Sequence, residues 1–78
     1  MNRPELSVKD VILNDDEIII CGENGDIIDT ISCDEIGFSV LLDVLEKTKD
    51  PVKAYRAAKE AEQRALRGED IDDILASY

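Results

Sequence analysis

Two apolar runs, residues 17–22 and 27–32, flank the dipeptide Asn24-Gly25. Asn-Gly is the preferred pair for a two-residue type I′ turn, because both central positions of that turn need a positive φ angle. We therefore predict an antiparallel hairpin with strands at residues 17–22 and 27–32. A two-residue turn also fixes the register, which places Cys21 opposite Ile28.

A third strand is predicted ahead of the hairpin, at about residues 6–13. It is rich in β-branched and apolar residues, and its alternation changes phase at Lys9-Asp10, which is typical of a β-bulge. The tripeptide Asn14-Asp15-Asp16 that follows is a turn signal. The three strands are therefore predicted to form an antiparallel meander.

The predicted register gives the hairpin two faces, neither of which is plainly polar. One face is predicted to carry Ile18, Ile20, Ile27 and Ile31, with Asp29 among them. The other face is predicted to carry Ile19, Cys21, Ile28 and Thr30. Helices can cover one face of such a sheet, so the second face is either covered by the remaining chain or offered to a partner.

Helical periodicity follows the strands, with apolar residues three and four positions apart. It predicts helices at about residues 33–48, 51–67 and 70–77. Three strands followed by three helices predict a single α+β domain that spans residues 1–78, with an N-terminal three-stranded antiparallel meander.

Capping signals set the starts of the first two helices. Ser32 and Glu35 have the spacing of a capping box, in which the serine hydroxyl accepts from the third helical N–H and the glutamate reaches back to the cap. Asp50 and Pro51 are the preferred residues for an N-cap and a first helical position. The first two helices are therefore expected to begin near Cys33 and at Pro51.

The three helices are expected to contribute unequally to the core. The first carries a broad apolar stripe and is expected to anchor the core. The second carries a row of alanines, which allows close approach but buries little area, so it is expected to pack less strongly. The third is too short to be stable alone and must dock on its own domain or on a partner. Its apolar face carries Ile71, Ile74, Leu75 and Tyr78.

The sequence predicts a protein without enzymatic activity, cofactor or metal site. It contains no His, which is the usual general acid or base at neutral pH. Its adjacent carboxylates, such as Asp72-Asp73, are typical of solvated turns and helix caps. The acidic loops at residues 14–17 and 23–29 lack the spacing of a calcium-binding loop. The predicted pairing keeps Cys21 and Cys33 too far apart for a disulfide, so we expect reduced, internal thiols.

Charge is strongly segregated along the chain. Residues 10–46 contain eleven Asp and Glu and no Lys or Arg, whereas residues 47–67 contain seven of the nine basic residues. The net charge of −10 disfavours binding of the whole molecule to nucleic acid or to an anionic membrane. No apolar run is long enough to span a bilayer and no secretion signal is recognisable, so we expect a cytoplasmic protein.

The charge pattern predicts a module that binds a basic protein surface. Carboxylates in turns, caps and one helix face are expected to form the negative surface: Asp15, Asp16, Glu17, Glu23, Asp26, Asp34, Glu35, Asp43 and Glu46. Apolar anchoring is expected from Ile19, Cys21 and Ile28, or from the face of the third helix. Because basic clefts commonly hold DNA or RNA, the predicted role is inhibition or regulation of a nucleic-acid-handling protein by a nucleic-acid mimic. In size and charge alone, the chain is similar to small acidic proteins of this kind, including many phage-encoded inhibitors.

Other interpretations of the same residues remain open. One is that the carboxylates serve solubility alone, since Asp is common in turns. An apolar sheet face or the third helix would also suit a structural module that forms a homodimer. Direct nucleic-acid binding through the basic helix, residues 49–67, is the third hypothesis. Against it, those cations are expected to be neutralised by the carboxylates of residues 10–46 or by Glu60 and Glu62.

Overall fold

The structure, a computed structural model, describes residues 8–78. In chain order its elements are β1 (Val8–Leu13), β2 (Glu17–Gly22), β3 (Ile27–Ser32), α1 (Ile36–Thr48), α2 (Pro51–Leu66) and α3 (Ile71–Ala76). The strands form one antiparallel sheet in the order β1-β2-β3. The predicted α+β architecture with a three-stranded meander is therefore confirmed. The first two residues of the predicted first strand, at positions 6 and 7, lie outside the described residues.

The hairpin between β2 and β3 has a longer turn than predicted. The backbone N–H of Gly22 donates to the carbonyl of Asp26 at 2.7 Å, and that of Gly25 donates to the carbonyl of Gly22 at 3.0 Å. Only Gly25 adopts a positive φ in this turn, at 84°. The type I′ prediction is therefore wrong, and the turn is a three-residue loop that ends in a left-handed glycine.

The extra turn residue changes the pairing at one end of the hairpin only. Ile19 lies opposite Thr30 as predicted, but Cys21 pairs with Ile27 instead of Ile28, because the register shifts next to the turn. Ile28 is the additional residue of this irregularity. A matching shift in β1, between Val8 and Asp10, confirms the predicted bulge at Lys9.

The helices pack on the sheet face that carries Ile18, Ile20 and Ile31. These side chains are almost completely buried, and they form the main core cluster with residues of α1 and α2: Leu41, Ala54, Tyr55 and Ala58. Ile27 was predicted for this face and is instead 65% exposed. The reason is the shifted pairing, which places Ile27 beside Cys21 on the opposite face.

The start of α1 differs from the predicted capping box. The Glu35 carboxylate does accept from the backbone N–H of Ser32 at 2.8 Å. However, the carbonyl of Ser32 accepts from the N–H of Glu35 at 3.0 Å, which closes a separate turn. Glu35 is the N-cap residue, without a side-chain cap, and the helix begins at Ile36 instead of near Cys33.

The start of α2 follows the prediction more closely. The Asp50 carboxylate accepts from the backbone N–H groups of Val52 and Lys53, and Pro51 is the first helical residue. Satisfying two of the free N–H groups at a helix start contributes on the order of 1 kcal/mol. The link between α1 and α2 is tight, since Lys49 adopts a left-handed φ of 58°.

The alanine row makes α2 a full partner in the core. Ala54, Ala58 and Ala61 have no exposed surface, and Tyr55 is also buried. The close approach predicted for the alanine row is therefore present, because these small side chains bring the α2 backbone close to its neighbours. α2 contacts β1, α1 and α3.

The third helix docks on its own domain. Ile74 is completely buried with Val40 and Ala61 in a second core cluster. Burying an isoleucine side chain contributes roughly 1.5–3 kcal/mol, which stabilises a helix of six residues that would not form alone.

Candidate protein-binding surface

The sheet face opposite the helices is uncovered within residues 8–78. On this face Ile12 pairs with Ile19, and Cys21 pairs with Ile27. Ile12 is 48% and Ile27 65% exposed. We call this surface the open face and define it by Ile12, Ile19, Cys21, Ile27 and Ile28. An exposed apolar patch that spans all three strands of a sheet is typical of an interaction site.

Three of the five residues of the open face were predicted from the sequence. Ile19, Cys21 and Ile28 were assigned to it, and they are half-buried, half-buried and exposed, respectively. Ile12 and Ile27 were missed. The alternation of Asp10 and Ile12 in β1 is the signal for the first of these. Ile27 lies on this face because the register shifts beside the turn, and the Asn-Gly pair alone does not indicate that shift.

One end of the sheet gathers several of the predicted carboxylates. The β1–β2 turn and the β3–α1 turn meet there, joined by a 2.9 Å hydrogen bond from the N–H of Cys33 to the carbonyl of Asp16. We call this region the acidic end and define it by Asp15, Asp16, Glu17, Asp34 and Glu35. All of these side chains are exposed except the half-buried Glu17.

The remaining predicted carboxylates lie elsewhere. Glu23 and Asp26 are exposed in the β2–β3 turn, at the opposite end of the sheet. Strands of six residues separate the two ends by roughly 20 Å. Asp43 and Glu46 lie on α1, where Asp43 forms an ion pair with Lys47 at 3.0 Å. The negative residues thus occupy both ends of the open face and one helix.

Asp29 points toward the helices and has partners there. The Tyr55 hydroxyl donates to its Oδ2 at 2.7 Å, and Lys59 Nζ lies 3.4 Å from the same oxygen. Burial works to raise the pKa of Asp29. The hydrogen bonds from Tyr55 and the backbone of Thr30, together with the charge of Lys59, outweigh burial and lower it. Asp29 is therefore an internal link between β3 and α2.

The basic residues are only partly neutralised. Lys47, Lys59 and Arg64 form ion pairs, with Arg64 bound to Glu69 at 3.0 Å. Lys49, Lys53, Arg56 and Arg67 are exposed and form no ion pair with any residue of 8–78. The carboxylates of the domain therefore neutralise only some of the basic residues on and around α2, so the predicted neutralisation is partial.

Only part of the predicted apolar face of α3 is buried. Ile74 has no exposed surface, whereas Ile71 and Leu75 are exposed. The Tyr78 hydroxyl is hydrogen-bonded to the Glu60 carboxylate, and Lys47 Nζ donates to the Tyr78 carbonyl. Tyr78 therefore lies against α1 and α2 and does not extend the exposed face.

Cys21 and Cys33 are free thiols, and Cys33 is exposed, contrary to the expectation that both are internal. Within residues 8–78, no group of three or more Cys, Asp or Glu side chains is arranged to hold a metal ion. None of the helices in that range is long and apolar enough to cross a membrane.

The fold and surface define an α+β domain with helices on one sheet face and an acid-flanked apolar patch on the other. Comparisons of the chain with protein-family models, with curated proteins and with solved structures gave no match.

Proposed function

We propose that this chain is a cytoplasmic, non-enzymatic protein-binding module that docks its negative surface on a basic, nucleic-acid-handling protein. It would act as an inhibitor or regulator by occupying the site where the partner holds nucleic acid. The observation that carries the proposal is the open face, an apolar patch with carboxylates at both ends. Residues 17–32, which form β2, β3 and their turn, contain no Lys or Arg.

Charge complementarity favours a basic partner. Carboxylates at the two ends of the patch attract a surface with cations on either side of an apolar strip, and they raise the association rate. The apolar centre then supplies the buried area that charge pairs at an exposed rim do not. The same charges repel nucleic acid and a second acidic copy of this chain.

The features of the two edge strands favour a partner that covers the open face over a partner that pairs with an edge strand. β1 and β3 are the two edge strands, and each carries a register irregularity, at Lys9 and at Ile28. β3 also carries the inward-pointing Asp29. Bulges and inward-pointing charges are features by which natural sheets avoid edge-to-edge pairing. The partner is therefore expected to cover the open face and not to add a strand.

Capture of partners from the native cell with the tagged full chain tests this function. The captured protein is expected to be basic, to be displaced by its own nucleic acid, and to bind more weakly as salt rises from about 50 to about 500 mM. Binding that is indifferent to salt, or a ternary complex in which nucleic acid stays bound, would contradict the proposal.

A matched pair of variants separates the acidic end from bulk charge. Asp15→Asn/Asp16→Asn removes two charges at the acidic end, and Asp72→Asn/Asp73→Asn removes two from α3. The first pair is expected to slow association several-fold, whereas the second leaves it nearly unchanged. Equal effects would mean that net charge alone drives binding.

Two other functions have a supporting observation each. The uncovered apolar area would also suit a homodimer, and sedimentation of the isolated chain at micromolar concentration distinguishes this, because a monomer excludes it. Lys49, just before α2, and Lys53 and Arg56 on α2 form no ion pair within residues 8–78, and they would suit direct nucleic-acid binding through this part of the chain. That function requires binding to DNA or RNA that is lost in Lys53→Ala and Arg56→Ala.

A further inference from the structure

A recess lies beside the acidic end, between the start of α1 and the end of α2. It has a volume of about 370 Å³ and is lined by Glu35, Ile36, Glu62, Ala65 and Leu66. Pockets for small ligands typically measure about 300–1,000 Å³, so this recess suits one side chain more than a cofactor. Apart from the two glutamates its walls are apolar, and Leu66 is 80% exposed.

Glu62, which lines this recess, carries one carboxylate oxygen without a partner. Its Oε2 atom is buried and has no hydrogen-bond partner among residues 8–78. The other carboxylate oxygen, Oε1, lies 3.8 Å from Lys59 Nζ, and that ammonium group is shared with Asp29. A buried carboxylate oxygen without a donor is unfavourable, because it has lost its hydration without gaining a hydrogen bond. A further cation near Glu62 would reduce this cost.

The surroundings of Glu62 are negative overall. Burial raises the pKa of Glu62, and the nearby charges of Glu35 and Asp29 raise it further, while Lys59 opposes them. Glu35 comes from the turn before α1, Asp29 from β3 and Lys59 from α2, so the charged groups of three packed elements face this carboxylate. One cation thus balances three carboxylates.

We infer that this recess receives an arginine side chain of the basic partner, an inference that rests on the function proposed above. The guanidinium would lie between Glu35 and Glu62, and its aliphatic stem would cover Ile36, Ala65 and Leu66. Arginine is favoured over lysine because its planar group is weakly hydrated and pairs with carboxylates through two hydrogen bonds. Glu35 belongs to the acidic end, so the recess continues that surface.

Titration of the full chain with N-acetyl-L-arginine amide, followed by backbone amide NMR shifts, tests the inference without the partner. Saturable shifts are expected at residues 35–37 and 62–66. N-acetyl-L-norleucine amide supplies a stem without charge, and guanidinium chloride supplies charge without a stem. Both are expected to bind at least about tenfold more weakly, because each lacks one of the two interactions. An equal response to either control, or shifts spread over all carboxylates, would overturn the inference.

Variants of the recess complete the test. Glu62→Gln is expected to weaken binding of the arginine derivative roughly tenfold, the effect of losing one charge-assisted contact. Ala65→Met narrows the recess without changing charge and is expected to abolish saturation. Glu23→Gln, which removes the same charge at the far end of the sheet, is expected to leave binding unchanged. Unaltered affinity in both recess variants would overturn the inference, whatever the capture experiment shows.

Discussion

Glu62 lies so close to Gly37 that a Cβ atom on the glycine would be 2.5 Å from Glu62 Oε2. The Glu62 carboxylate of α2 therefore packs against the backbone of Gly37 in α1. Only the absence of a side chain at position 37 lets the carboxylate lie in this buried position. The contact links the start of α1 to the last turns of α2.

Gly37→Ala is expected to move the Glu62 carboxylate outward and to change stability little. The obstructing atom is the end of a flexible side chain, and alanine favours a helix over glycine by up to about 1 kcal/mol. Gly25→Ala, the matched substitution at a φ of 84°, is expected to cost roughly 1–2 kcal/mol. Denaturant unfolding of both variants measures the difference. A larger loss for Gly37→Ala than for Gly25→Ala would show that the Glu62 position is rigid.

Glu62→Gln is expected to make the protein more stable at neutral pH. The folded-state pKa of Glu62 is raised, with burial as the main cause. The corresponding stability is present below the unfolded-state pKa, and it is lost as pH rises through the folded-state pKa. Unfolding is measured from about pH 3 to about pH 7. The free energy of unfolding of the variant should increase relative to that of the wild type as pH rises above about 4.3. A constant difference across this range would contradict the position of Glu62.

Tyr55→Phe is expected to lower stability at neutral pH by roughly 1.5–3 kcal/mol, because Asp29 loses a charge-assisted hydrogen bond. The folded-state pKa of Asp29 is lowered, so its contribution is present above the unfolded-state pKa and is lost as pH falls through the folded-state value. The difference between variant and wild type should thus shrink in strong acid. Asp29→Asn is the control, and Tyr55→Phe should have a smaller effect in that background.

The two faces of β3 can be compared by one substitution at two positions. Ile31→Thr places a hydroxyl in the core and is expected to cost about 2–3 kcal/mol. Ile27→Thr keeps a β-branched residue at an exposed position and is expected to cost less than about 0.5 kcal/mol. Equal losses would mean that Ile27 belongs to the core, as an unbroken register would place it.

Ile74→Ala is expected to undock α3 from the second core cluster. Replacing a fully buried isoleucine by alanine costs roughly 2–5 kcal/mol. Hydrogen exchange should then be faster at residues 71–76 than in the sheet. Ile71→Ala, at an exposed position of the same helix, is the control and should leave both stability and exchange nearly unchanged.

Much of the architecture could be predicted because local signals agreed with one another. Asp50 and Pro51 determined the start of α2, and the phase change at Lys9 predicted a bulge that the structure contains. The predicted register correctly grouped Ile18, Ile20 and Ile31 on one sheet face, and that face is the buried one. These features depend on residues adjacent in the sequence.

The errors arose where one sequence signal is compatible with two geometries. Asn-Gly suits both a two-residue turn and a three-residue loop, and the choice moved Ile27 from the core to the open face. Ser32 and Glu35 likewise suit either a capping box or a separate turn. The contact of Glu62 with Gly37 joins distant parts of the chain, and no local pattern indicates it. A glycine at an otherwise helical position was the only available signal.

The central strand β2 connects the acidic end of the sheet to the carboxylates of the β2–β3 turn. The length of β2 therefore sets the distance between these two groups of charge. Its length is set by residue number, at about 3.3 Å per residue. Adding two residues to each strand would keep the same side chains on the open face and increase the distance between the two groups of charge by roughly 7 Å. On the function proposed above, a partner that contacts both groups of charge is then expected to bind more weakly, although the chemistry of the surface stays the same.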